Sequence, residues 1–327
     1  MGEFELLARL RERLPPAGAR VLLGSGDDAA VSVPGGATAT SVDALVDGVH
    51  FRRDRASLAE IGRKALGAAL SDLAAMGAEA GEAYIAIGVP PDLGEDGCLE
   101  LFDGIAAVAA ATGTTLAGGD VTRAPVLTLV ATVVGHADRP DELVGRGGAE
   151  PGDVLVLSGE IGGAAAGLLL LERTELGATI SPAAAGRLRR RQLEATPRLG
   201  TGQALAAAGA HAMIDLSDGL GGDGGHLAAA SGAGLRIDAA ALPLAPGVSE
   251  VAAAAGRDPL ELATAGGEDY ELLAALPAER LADARRRTRE AGEAELTAVG
   301  EVVAGAGVEI RLPGGGTLAP AGFDQLR

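Results

Sequence analysis

The stretch Gly24 to Val31, GSGDDAAV, constrains this chain most, because it sets two adjacent carboxylates, Asp27 and Asp28, on a glycine turn. Two unit charges about 4 Å apart repel by roughly 1 kcal/mol in bulk water and roughly 4 kcal/mol at an effective dielectric of about 20. A divalent cation reverses that sign. The pattern of an acid beside Gly or Ser at the end of an apolar run returns in SVDALVDGVHF (41 to 51), SDLAAMG (71 to 77), AGGD (117 to 120) and IDLSDGL (214 to 220). One such motif reads most simply as a solvated turn aspartate. Five of them point to a cation site built from distant parts of the chain.

Acidity sets the class of partner. The 327 residues carry a formal net charge of -18, which argues against nucleic acid and anionic membrane, both of which bind through basic surface. A phosphorylated small molecule is still admitted if magnesium bridges carboxylate and phosphate oxygens. Cys98 is the single cysteine, so no internal disulfide and no multi-cysteine zinc site is possible, and a reducing cytoplasm fits. No apolar run reaches membrane-spanning length, and the opening MGEFELLARLRERL reads as an amphipathic helix rather than a signal peptide. It also lacks the Ser or Thr a myristoylation signal needs.

The length predicts two domains. Strands are expected at 21–23, 29–33 and 38–43. The Ser57/Glu60 capping box opens a helix to about Leu73, which leaves Asp72 at a helix C-terminus where the macrodipole disfavours a lone carboxylate. A strand at 83–89, a helix at 96–111, a short strand at 114–117 running into Gly118-Gly119-Asp120, and a strand at 126–136 complete an α+β first half. Gly145 to Gly152 reads as a linker containing Arg146 and divides the chain into 1–148 and 149–327. The second half reads as strands at 153–157, 212–216, 235–237 and 270–276 among helices, with closing strands toward Phe323.

Several phosphate machines are excluded by inspection. Lys64 is the only lysine and Ala65 follows it, so there is no Walker A loop, and neither HRD nor DFG occurs. Gly219, Gly221 and Gly224 form a GxGxxG, but Asp215 and Asp218 stand where a dinucleotide pyrophosphate would approach, unless metals turn that turn into a phosphate cradle. The four histidines share no HxxxH spacing, which disfavours zinc; magnesium suits the aspartates better, since hard cations choose oxygen ligands. His50 follows Asp43 and Asp47 and is a candidate ligand contact. No nucleophile elbow or activated cysteine is present.

Six stretches in order, GSGDDAAV, SVDALVDGVHF, LSDLAAMGA, AGGDVTR, MIDLSDGL and GGEDYEL (266 to 272), resemble the thiamine-monophosphate kinase family of the aminoimidazole ribonucleotide synthetase superfamily. The resemblance covers nearly the whole chain. It implies a two-domain α+β / α/β fold, with an N-terminal α+β domain (1–148) for ATP, metal and dimerisation and a C-terminal α/β domain (149–327) completing the active site. The N-terminal strands would pair across a homodimer into a barrel. It implies transfer of the γ-phosphoryl of magnesium ATP to thiamine monophosphate, giving thiamine diphosphate. Asp28, Ser41, Asp43, Asp72, Asp120, Asp215 and Asp218 would hold several magnesium ions. Gly119, Asp120, Arg146 and Ser217 would contact ATP, and His50, Glu268 and Phe323 the thiamine phosphate.

Residue chemistry agrees: phosphoryl transfer asks for alignment and charge neutralisation, and a phosphate acceptor is already nucleophilic, so no general base is assigned. Glu268 would complement the thiazolium cation and Phe323 would stack on a ring. Two positions depart from the family pattern. Val42 stands where a hydroxyl residue is frequent, and Phe323 where Trp or Tyr is frequent. Within the superfamily, the hydrogenase-maturation dehydratase and selenophosphate synthetase need cysteines that Cys98 does not match. Aminoimidazole ribonucleotide synthetase is the nearest enzymatic rival, against which GVHF and GGEDYEL argue. A non-enzymatic acidic metal-binding scaffold is the remaining alternative.

Overall fold

The computed structural model describes residues 3–25 and 29–322. They form two compact units. The first comprises the described residues of Met1–Leu73, Ala78–Pro140 and Leu193–Leu199; the second those of Ala74–Gly77, Asp141–Gln192 and Gly200–Arg327.

The first unit contains α1 (Glu3–Arg11), β1 (Val21–Leu23), β2 (Val31–Ser32), β3 (Ala37–Val46), α2 (Leu58–Ala75), β4 (Glu79–Val89), α3 (Gly94–Thr112), β5 (Thr115–Arg123) and β6 (Thr128–Ala137). β1 and β2 make a small antiparallel ribbon, and the main sheet has the order β3-β6-β4-β5, antiparallel except for the β4–β5 pair. Strand β3 alternates strictly in exposure, the signature of a period-2 strand with one covered face. Ser41 and Asp43 share the covered face with Val133 and Ala131 of β6, while Val42, 61% exposed, points the other way.

Helix α2 starts as its sequence dictates. The Ser57 backbone N–H donates to Glu60 Oε2 (2.8 Å), and the Glu60 N–H donates to Ser57 Oγ (3.3 Å), closing the reciprocal capping box. Its buried face is Ile61, Ala65, Leu66, Ala69, Leu70 and Leu73. Gly62 and Gly104 allow α2 and α3 to cross closely, since a Cβ at either would strike the backbone carbonyl of Leu101 or Ala59 on the facing helix.

The second unit contains β7 (Val154–Leu157), α4 (Gly163–Glu172), α5 (Pro182–Leu193), α6 (Leu199–Ala207), β8 (Ala212–Asp215), α7 (Leu220–Ser231), β9 (Gly234–Asp238), α8 (Val248–Ala255), α9 (Pro259–Ala265), β10 (Leu272–Leu276), α10 (Leu281–Glu290), β11 (Thr297–Val303), β12 (Gly307–Arg311) and β13 (Thr317–Leu318). Seven strands form one sheet in the order β13-β12-β9-β11-β7-β10-β8; β9 and β12 are its one parallel pair. Leu155, Leu157, Ile214, Leu235, Ile237, Leu273 and Val302 fill a core on that sheet. None of the three sheets closes on itself among the described residues.

Four expectations are corrected. The strand expected over 29–33 is only Val31–Ser32. Gly118, Gly119 and Asp120 are not a turn after a strand but lie inside β5, and Asp43 lies inside β3 rather than at its end. The GxGxxG glycines Gly221 and Gly224 lie within α7, which begins at Leu220, rather than in a turn ahead of a helix.

Candidate active site

In the first unit, β3 and α2 bring Ser41, Asp43 and Asp72 together. Ser41 Oγ donates to Asp72 Oδ2 in a short hydrogen bond. The Asp43 carboxyl is pushed up to about 6, first by burial and then by the neighbouring Asp72 charge. Two carboxylates and a hydroxyl held close, one of them reluctant to ionise, form a hard oxygen donor set. That is the chemistry a magnesium ion fits.

His50 sits on the turn after β3. Its ring Nδ1 accepts the Val46 N–H (3.1 Å) and its own N–H donates to Val46 O (3.0 Å). Asp47 in the same turn accepts Arg53 Nε (2.7 Å), so it is held as an ion pair.

Asp120 is not part of that cluster within one chain. It lies on β5, Asp43 on β3, and β6 and β4 run between them. Three strand spacings separate these strands by roughly 14 Å. Asp28 and Phe323 lie outside the described residues. Among the described residues, no three His, Cys, Asp or Glu side chains gather as a metal-binding group.

In the second unit, Asp215 ends β8 and is buried, and Ser217 and Asp218 form the turn into α7. Backbone bonds stitch this turn to the GGEDYEL segment: Glu268 N donates to Ser217 O (2.9 Å) and Tyr270 N to Leu216 O (2.9 Å). Glu268 and Tyr270 have φ of 67° and 50°, two left-handed non-glycine residues around Asp269. Such conformations cost about 1–3 kcal/mol each and persist only where surrounding bonds over-determine them. The Arg146 carbonyl accepts from Ser231 Oγ (3.3 Å), which ties its loop to the end of α7.

Those surrounding bonds come from residues that sequence reasoning passed over. Gln192 donates to Glu268 Oε2 in a short hydrogen bond. Asp269 accepts the N–H groups of Gly162 (2.6 Å) and Ala164 (3.0 Å) at the start of α4, while burial pushes its carboxyl up to about 6. Glu271, 0% exposed, receives Arg191 Nη1 and Nη2 (both 2.9 Å) and Ser158 Oγ (2.6 Å). Asp223, on the first turn of α7, accepts the N–H groups of Asp218 (3.0 Å) and Gly219 (2.9 Å) and is pushed up to about 8 by burial and by Asp215. For Asp269 and Glu271 the available signal was the density of acids in GGEDYEL, a residue type rarely buried unless paired.

Family models carry this geometry to a class. Residues 26–137 match the N-terminal domain, and residues 150–313 the C-terminal domain, of AIR synthase related proteins. Thiamine-monophosphate kinase of Mycobacterium tuberculosis (strain CDC 1551 / Oshkosh) is 40% identical over 279 residues, 84% of this chain and 80% of the relative. The crystal structure of thiamine-monophosphate kinase from Stenotrophomonas maltophilia K279a has a TM-score of 0.84 and 36% identity, covering 95% of this chain and 96% of that one. AaThiL complexed with AMPPCP and TMP has a TM-score of 0.77 and 30% identity, covering 98% and 96%. The two-domain AIR synthase-like fold is therefore that of this chain. The chain belongs to the thiamine-monophosphate kinase family.

Proposed function

We propose that the chain phosphorylates thiamine monophosphate with ATP, giving thiamine diphosphate and ADP. The observation that carries this reading is the Asp43–Asp72 carboxylate pair beside Ser41, on a fold shared with a relative that binds AMPPCP and TMP.

Magnesium would be held by Ser41, Asp43 and Asp72, with Asp28 and Asp120, and on the second unit by Asp215 and Asp218. Bound there, it would supply the positive charge that lets two polyanionic phosphates approach. The chain's own residues bind and orient. Gly119, Asp120, Arg146 and Ser217 contact ATP. His50 donates to the acceptor phosphate. Glu268, held by Gln192, faces the thiazolium cation, and Phe323 stacks on a ring. The acceptor oxygen carries its own negative charge, so no side chain need remove a proton.

A homodimer belongs to the same reading. Among the described residues, β3 and β5 are the two edge strands of the first unit's sheet, and unpaired edges are templates for another chain. Pairing edge to edge across a two-fold axis closes a barrel and brings one chain's Asp120 toward the other's Asp43. The division of labour at 148/149 and a cytoplasmic location complete it; among the described residues, no helix is long and apolar enough to cross a membrane.

Incubation with magnesium ATP and thiamine monophosphate, with free thiamine as control, tests the function. Thiamine diphosphate formed from the monophosphate alone supports it. Turnover only with an aminoimidazole precursor would sink it.

A further inference from the structure

Of the 27 basic residues in this chain, 26 are arginine. The one lysine, Lys64, is 3% exposed on α2, and among its contacts its Nζ donates to the backbone carbonyl of His50 (3.3 Å). A chain that uses arginine almost everywhere has kept here the residue with a compact three-donor ammonium on a slim stem, where a planar guanidinium needs more room. Burying that charge is expensive unless its donors are used.

The residue it grips is held at three points. His50 N–H donates to Val46 O, Val46 N–H donates to His50 Nδ1, and His50 O receives the lysine. Gly48, at φ 83°, allows the tight reversal, and Gly48 N–H closes on Phe51 O (2.8 Å). A ring nitrogen that accepts a hydrogen bond carries no proton, so the imidazole proton sits on Nε2.

We infer that Lys64 is a positioning residue: through the His50 carbonyl it fixes the turn so that a neutral His50 presents Nε2–H to the phosphate acceptor. The inference rests on the reading of His50 as a contact of thiamine monophosphate. On that basis Lys64 governs acceptor binding and leaves ATP binding alone.

The test is Lys64→Met, which keeps the stem and removes the donors, with 15N-histidine NMR and steady-state kinetics on the full-length protein. Wild-type His50, assigned by the signal lost in His50→Gln, is expected to show a protonated Nε2 and a bare Nδ1. In Lys64→Met that single-tautomer signature is expected to give way to a mixture. KM for thiamine monophosphate should rise about tenfold, as befits loss of a charged hydrogen bond, while KM for ATP stays within about twofold. Equal rises in both KM values, no change in either, or a wild-type proton on Nδ1 would overturn the inference. If Lys64→Met does not fold, the same two readouts on Lys64→Gln, which replaces the ammonium with a neutral amide on a shorter stem, decide. If the wild type makes no thiamine diphosphate, the functional reading fails, and the two spectra alone judge Lys64.

Discussion

Ser41 on β3 donates its hydroxyl hydrogen to Asp72 on α2, so one acid of the Asp43–Asp72 pair is anchored while the other stays buried beside it. Asp43 ordinarily titrates near 3.8 and in the fold near 6. A raised carboxylate contributes stability that is full below 3.8 and lost as pH rises through 6. Asp43→Asn should remove that loss and leave the metal-free protein more stable at neutral pH, by up to about 3 kcal/mol. Turnover should fall by about a thousandfold, the equivalent of roughly 4 kcal/mol in the barrier. Urea unfolding with a chelator across this window, alongside the kinase assay, checks both. Near-normal activity would remove Asp43 from the proposed metal site.

Asp223 gives a cleaner titration. Both N–H groups it accepts, from Asp218 and Gly219, reach the same oxygen, Oδ2, so an asparagine amide oxygen can keep both bonds. The folded value of about 8 stands far above the ordinary 3.8, so stability is again full at low pH and is lost as pH rises through 8. Asp223→Asn should therefore flatten the fall in metal-free stability between about pH 3.8 and 8 without loosening α7. Parallel curves for the two proteins would show that burial and Asp215 do not hold the proton there.

The acid clusters were legible because an acid beside glycine is a local pattern, and the Ser57/Glu60 box marked the start of α2 for the same reason. What failed was local pattern overridden by distant chain. Gly221 and Gly222 are helical, and the chain at Pro320, Ala321 and Gly322 passes too close to them for a Cβ, so glycine stands there for a reason no local pattern carries. The partners of Asp269 and Glu271 stand 80 to 113 residues away in sequence, beyond any periodicity, so only their placement in a dense acidic motif hinted at burial.

The Arg191–Glu271 pair should behave as a buried charge does. Glu271 is fully buried and Arg191 is its cationic partner, so Arg191→Met strands a carboxylate and should cost about 3–5 kcal/mol of unfolding free energy. Adding Glu271→Gln removes the stranded charge and should recover most of that loss, a coupling that a double-mutant cycle measures. Strict additivity would mean that the pair holds nothing together.

Asp43 and Asp120 sit on opposite edges of one four-stranded sheet, so a dimer that pairs those edges shares its sites between chains. Asp43→Asn and Asp120→Asn should each be inactive alone. Mixed and reassembled, a heterodimer has one site with both substitutions and one with neither. Random assembly makes half the dimers mixed, each with one intact site, so about a quarter of wild-type activity should return by symmetry. If each chain instead builds its site alone, every site in the mixture carries a lesion and no activity returns. The kinase assay on mixtures refolded together, set against the same proteins mixed without unfolding, separates the two arrangements.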